Sequence, residues 1–313
     1  MHLDSCRDLK RSLLERVPEL TARTEAPWVG LGVTRIAPGE FSLAVRVPNS
    51  RTAADLIERL ASEAHNELNV VTVGRIRALS APSPDELQKR HRPLVPGASV
   101  GHPDITAGTL GAFVTIDEAP HILSNNHVLA DSGRAEPGDT VLQPGVSDSG
   151  TDPGDAVARL TAFSELRTDR PNLLDAAVAR IDDSVGHDPE GYPGGAITDV
   201  TAEVQERDEV RKLGRTTGYT RGYVTAFEVD GLRIDFPTGD LLFDDQIEIS
   251  GAGGGFSDGG DSGSLIWTAD EHAALGLLFA GSDIGGPDGT GLTYANPMRA
   301  VLDEFDARLA DGR

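Results

Sequence analysis

The chain has 313 residues, of which 38% are hydrophobic and 25% charged, and it carries 28 Lys+Arg against 50 Asp+Glu for a net charge of −22. Those averages fit neither a disordered tail nor a membrane protein, and so acidic a balance argues against a nucleic-acid partner, which needs clustered cations. The length leaves room for one large or two ordinary domains.

Along residues 3–20, Leu9, Leu13, Val17 and Leu20 recur at spacings of three and four, which predicts an amphipathic helix stopped near Pro18. Cys6 is the only cysteine, so no intramolecular disulfide can form and a reducing compartment is expected. The first residues mix acids with apolar side chains and lack an apolar run of signal-peptide length. No stretch approaches the ~20 apolar residues of a membrane span, so the expected location is cytoplasmic, with no membrane partner. Residues 28–36 and 41–47 read as strands around the turn Ala37-Pro38-Gly39-Glu40, residues 52–64 as a helix capped by Thr52, and residues 70–79 as a third strand. Residues 1–80 thus form a small α+β domain with an expected role in regulation or in binding a protein partner.

Ser80-Ala81-Pro82-Ser83-Pro84 and Val95-Pro96-Gly97 frame a stretch without periodicity, so residues 81–96 read as a linker. Within it, Lys89-Arg90-His91-Arg92 is basic and expected to be exposed, a place where cleavage could release the C-terminal domain. Short apolar runs at 109–116, 157–160, 176–181, 221–229 and 245–250 alternate with Gly/Asp/Pro clusters, the pattern of an all-β barrel or sandwich. A helix over 297–309, with Met298, Val301, Leu302 and Phe305 on one face, is expected at the end. Lysine is rare, limited to Lys10, Lys89 and Lys212.

Three segments carry chemistry. In Gly259-Gly260-Asp261-Ser262-Gly263-Ser264-Leu265-Ile266 a serine sits between glycines before an apolar strand, where a tight turn can expose the hydroxyl and point backbone N–H groups at a carbonyl oxygen. A serine needs a base to remove its proton, and of eight histidines His127 stands out, at the strand-to-turn junction of Leu123-Ser124-Asn125-Asn126-His127-Val128-Leu129. The base needs an acid to fix its tautomer; Asp175 heads the apolar run Ala176-Ala177-Val178-Ala179, where a carboxylate is costly unless paired.

With these motifs in the order His, Asp, Ser, residues 97–313 resemble the trypsin-like (chymotrypsin-fold) serine peptidases, of the disulfide-free bacterial type. The resemblance implies a mainly β fold of two six-stranded β-barrels. It implies a serine endopeptidase working through an acyl-enzyme, with His127 as base and then acid, Asp175 as its orienter, Ser262 as nucleophile, and the N–H groups of Gly260 and Ser262 as oxyanion hole. Asp261 would be structural, holding the nucleophile loop. Phe256, six residues before Ser262, falls at the floor of the family's specificity pocket, which gives a cationic side chain no acid unless Asp258 turns inward. Residues 274–282 would be the strand that pairs with substrate backbone, with Gly281, Ser282 and Asp283 at the pocket rim. Protein or peptide substrates are implied. No metal-ligand or phosphate-loop spacing occurs, so no cofactor and no metal are expected.

The runner-up is a catalytically latent scaffold that binds a protein partner, motivated by the glycine-rich run 251–260. An esterase fits less well, since the usual order in that class is Ser, acid, His. The net acidity adds an expectation of neutral or basic substrates.

Overall fold

A computed structural model describes residues 1–21, 29–37, 39–47, 49, 51–72, 81–237, 239–287 and 289–311. The chain divides into two compact units, Met1–Ala78 and Leu79–Arg313.

The first unit holds α1 (Leu3–Thr21), β1 (Gly30–Ala37), β2 (Glu40–Val47), α2 (Ala54–Glu63) and β3 (Leu68–Thr72). Its sheet has the order β1-β2-β3, with β2 antiparallel to β1 and parallel to β3. A parallel neighbour requires a crossover, which α2 supplies. Cys6, Leu13, Leu43, Val45, Leu56 and Leu60 are buried together as its core. Two sequence expectations change. The first helix does not stop near Pro18 but runs to Thr21, the burial of Cys6 and Leu13 outweighing the hydrogen bond that an interior proline removes. Thr52 is not a cap: Ala53 holds that position without a side-chain bond, while Thr52 Oγ1 donates to the Asn49 carbonyl. Trp28, and residues 73–79 of the expected third strand, lie outside the described residues.

The second unit begins with a one-turn helix α3 (Pro84–Leu87), closed by a capping box between Ser83 and Glu86. It continues through β4 (Ser99–Val100), β5 (Gly108–Thr109), β6 (Ala112–Ile116), β7 (Ala119–Ser124), α4 (Asn126–Leu129), β8 (Thr140–Leu142), β9 (Ala156–Phe163) and β10 (Ala177–Ile181). Next come β11 (Glu209–Gly214), β12 (Gly218–Val229), β13 (Leu232–Phe236), β14 (Gly239–Phe243), β15 (Gln246–Gly251), β16 (Leu265–Thr268), β17 (Ala274–Gly281), β18 (Leu292–Pro297), α5 (Met298–Glu304) and β19 (Arg308–Leu309). The unit is mainly β. Strands β11-β12-β15-β18-β17-β16 close into a six-stranded barrel, and β19-β6-β7-β10-β9-β8 form a six-stranded sheet, so the second half closes while the first is an open sheet in its strand pairing. Asp117 and Glu118, at φ 49° and 60°, form the two-residue loop between β6 and β7, the left-handed pair that matches strand twist in a tight hairpin.

A shared cluster joins the two halves: Leu123 and Val178 from the sheet pack with Leu213, Leu265 and Leu277 from the barrel. The expected terminal helix is shorter than 297–309. It ends at Glu304, and Arg308 and Leu309 instead pair with Thr115 and Val114 of β6. In the basic stretch 89–92, Lys89 and Arg90 are exposed as expected, whereas His91 and Arg92 are half-buried. Buried Gln143 accepts from His91 N at 2.8 Å and from Arg92 Nη1 at 2.6 Å, and donates to the Lys89 carbonyl, holding Arg92 half-buried as part of the folded unit.

Candidate active site

Strand register brings the first two functional side chains together. β10 pairs with β7 so that Ala177 lies opposite Ser124, which sets Asp175, two residues before Ala177, beside the turn that opens α4. His127 is in the first turn of α4. Its Nδ1 and the Asp175 Oδ2 are hydrogen-bonded, and its backbone N–H donates to Asp175 Oδ1 at 3.1 Å. Asp175 is fully buried, where a carboxylate without such partners would be costly. Asn296, on β18 of the barrel, accepts from the Asp175 N–H through Oδ1 at 2.9 Å and donates to Gln246 Oε1 at 2.7 Å.

Ser262 comes from the barrel, on the loop before β16, and is half-buried. His127 and Ser262 line one cleft of about 670 Å³, together with Phe236, Gly260, Phe279 and Gly281. The Ser262 hydroxyl bonds to no described side chain or backbone group, His127 included. Nor do the N–H groups of Gly260 and Ser262 donate to any described protein acceptor. Gly260 has φ +95°, and a Cβ there would come within 2.5 Å of Arg215 Nη1 and Thr216 Oγ1, so only glycine fits.

The serine loop is held from both halves. Thr109 of β5 donates its N–H to the Ser262 carbonyl at 2.8 Å and its hydroxyl to the Gly260 carbonyl at 2.9 Å. Arg215, just after β11, forms a two-pronged bond to Asp148 of the sheet half at 2.7 and 2.6 Å, the planar geometry for which guanidinium suits carboxylate. Asp261, fully buried, accepts from Thr216 N, Thr217 N, Thr217 Oγ1 and Asp258 N, and Lys212 Nζ stands 3.3 Å from its Oδ2. Burial pushes the Lys212 ammonium below its ordinary range while Asp261 pulls it back up.

A second pocket of about 330 Å³ opens at Ser262, bordered by Ser257, Asp258, Ser282, Asp283 and Thr293 with Phe256 and Gly281. Gly281 and Ser282 therefore border the same pocket as the serine. Phe256 borders the pocket but is buried, its side chain packed with Val224, Ile249 and Leu278 in the barrel core. Asp258 is exposed, and its Oδ1 accepts the Gly259 N–H at 2.7 Å.

Sequence reading missed Thr109, Lys212, Asn296 and the β13–β14 hairpin. Only Lys212 left a signal, a lysine sharing the inward face of a strand with Val210. The hairpin places Phe236 edge-on to the His127 ring at 5.9 Å, and Phe236 stacks on Phe243, which packs on Phe279 of β17. Among the described residues no group of three His, Cys, Asp or Glu is placed to hold a metal ion, and no helix is long and apolar enough to cross a membrane.

No protein-family model matches the chain, and no curated protein matches it. Solved structures do. Thermobifida fusca protease A is 17% identical over 70% of this chain and 99% of its own, with a TM-score of 0.48. Cellulomonas bogoriensis chymotrypsin is 18% identical over 69% of this chain and 98% of its own, at 0.47. Nocardiopsis protease is 16% identical over 70% of this chain and 99% of its own, at 0.49.

Proposed function

We propose that the second unit is a serine endopeptidase. The observation that carries this reading is that His127, bonded to buried Asp175, lines one cleft with a Ser262 whose own N–H and that of Gly260 donate to no described protein acceptor. In this reading His127 Nε2 takes the Ser262 proton as Oγ attacks the substrate carbonyl carbon, and Asp175 stabilises the imidazolium that results. The carbonyl oxygen, now an oxyanion, is received by the N–H groups of Gly260 and Ser262, each of which typically contributes ~10²–10³ in rate at such sites. Collapse breaks the C–N bond, the leaving amine takes the proton from His127, and water delivered through the same base hydrolyses the acyl-Ser262 ester.

The substrate is an extended protein or peptide segment that adds to the edge of β17 near Gly281, with the side chain on the acyl side of the scissile bond in the pocket beside Ser262. The first unit acts in regulation or in binding a protein partner, and the lone buried cysteine fits a cytoplasmic setting.

Labelling of the purified chain by a fluorophosphonate, with hydrolysis of a mixed peptide library, tests the reading. Both are expected in the wild type and both are lost in Ser262→Ala. Hydrolysis that persists in Ser262→Ala overturns it, and a folded wild type that neither labels nor cleaves points instead to a scaffold that binds a protein partner.

A further inference from the structure

Asn125 occupies the N-cap of α4, the position where an asparagine side chain normally accepts an N–H from the first turn of its own helix. It makes no such bond. Its Nδ2 instead donates to the backbone carbonyl of Asp175 at 2.7 Å, and its Oδ1 is buried without a partner. The missing cap is supplied from across the seam, because Asp175 Oδ1 accepts the His127 N–H, the second N–H of the helix. The two residues have therefore exchanged duties: the asparagine satisfies the aspartate's backbone, and the aspartate caps the asparagine's helix.

Asn126 repeats the pattern. Its Nδ2 donates to the Ser164 carbonyl at 2.7 Å, its Oδ1 is also buried and unpartnered, and Ser164 Oγ in turn bonds to the Leu174 and Ala176 carbonyls on either side of Asp175. An unpaired buried acceptor is destabilising, and neighbouring asparagines both carry one. Asn296, which holds the Asp175 N–H, has both ends of its amide bonded.

From this exchange we infer that Asn125 is a positioning residue, with Asn126 as its companion: it fixes the Asp175 backbone so that one carboxylate stays beneath both the N–H and the Nδ1 of His127. The inference rests on the peptidase reading for its kinetic consequence, though not for the geometry it concerns. A residue that merely stabilised α4 would be replaceable by another capping residue. Serine caps as well as asparagine but is too short to reach the Asp175 carbonyl.

The test compares Asn125→Ser and Asn125→Ala in the full chain, with thermal unfolding, peptide hydrolysis and the proton NMR signal of the His127 Nδ1–H. Both variants are expected to lower kcat on the order of 10- to 100-fold, the scale set by a misplaced reacting group, with KM within about twofold. Asn125→Ser should keep the wild-type unfolding temperature yet weaken or broaden the downfield Nδ1–H resonance. In an Asp175→Ala background the effect of Asn125→Ala should vanish, since it acts through that residue. Wild-type kcat in Asn125→Ser, or an undiminished penalty in the Asp175→Ala background, overturns the inference. A wild type without hydrolysis overturns the peptidase reading alone; the resonance then decides, loss in Asn125→Ser supporting the positioning role and retention overturning it.

Discussion

Lys212 Nζ lies 3.3 Å from Asp261 Oδ2, with both side chains fully buried in the barrel. The acid is the residue before Ser262 and the lysine comes from β11, so the unit supplies this acid with its own cation and leaves no vacancy there for a terminus freed by cleavage. With stretch 89–92 tied to Gln143, cleavage has no unfilled role at this acid. An intact chain is expected to show full activity, which intact-mass measurement of the active protein checks.

The two partners are not equivalent. Asp261 receives four hydrogen bonds besides the lysine, whereas Lys212 donates to Thr217 Oγ1 and the Gly218 carbonyl and lies 5.9 Å from the centroid of the Phe256 ring. Removing the acid strands a buried ammonium, so Asp261→Asn should cost about 3–5 kcal/mol, the range for breaking a buried pair. Lys212→Met leaves a carboxylate still well bonded and should cost less. Denaturant unfolding of both variants decides the order, and the reverse order would show that the lysine, not the acid, is the partner better satisfied by its other bonds.

Gly260→Ala should sharply lower activity while the rest of the barrel remains folded. The added Cβ would strike Arg215 and Thr216, and the left-handed φ adds strain, so the loop must shift and carry the Gly260 N–H with it. A loss on the order of 10²-fold in kcat is expected from one misplaced oxyanion donor. Crystallography of the variant together with kcat shows whether the loop has moved; activity at the wild-type level would remove Gly260 from the oxyanion hole.

Acid should destabilise the chain through His121, among other groups. It is buried on β7 with its Nδ1 against the Ala119 carbonyl, and desolvation, followed in part by Arg180, holds it below the ordinary histidine range against the pull of that carbonyl. The folded state thus binds fewer protons than the unfolded one in this range. The stability is fully present above about pH 6.5 and is lost as pH falls from there through the lowered folded value. His121→Gln should flatten the slope of unfolding free energy against pH in that window. An unchanged slope would assign the acid sensitivity to other groups.

The sequence made the three chemical segments legible because each is local: a serine between glycines, a histidine at a strand end, an acid before an apolar run. What supports them is not local. Thr109 and Asn296 look like ordinary strand residues, and only the packing of the sheet against the barrel brings one to the Ser262 loop and the other to Asp175. The terminal helix was overread because Phe305 continues the apolar spacing of Met298, Val301 and Leu302, while pairing of Arg308 and Leu309 with β6 stops the helix at Glu304. Asn125 was visible only as a neighbour of His127, since its capping position predicts the opposite of the bond it makes.

The lining of the pocket beside Ser262 predicts a preference that Phe256 alone did not reveal. Its lining includes Asp258 and Asp283, and hydroxyls at Ser257, Ser282, Thr290 and Thr293, but no lysine, arginine or histidine among the described residues. The Ser257 and Thr293 hydroxyls bond to each other at 2.6 Å. A side chain that donates hydrogen bonds or carries positive charge finds acceptors there, whereas a carboxylate meets two acids of its own sign. Both acids are exposed, so solvent and salt screen the repulsion. Peptides with Lys, Arg or Gln on the acyl side of the cleaved bond should therefore exceed those with Glu by about tenfold in kcat/KM, equivalent to ~1.4 kcal/mol. The gap between Lys and Glu should narrow at high salt and again in Asp283→Asn, whose side chain plays no part in holding the serine loop. Kinetics on a peptide series differing only at that residue provide the check, and a preference for Glu, or a Lys–Glu gap that neither salt nor Asp283→Asn changes, would mean that these acids do not govern the pocket.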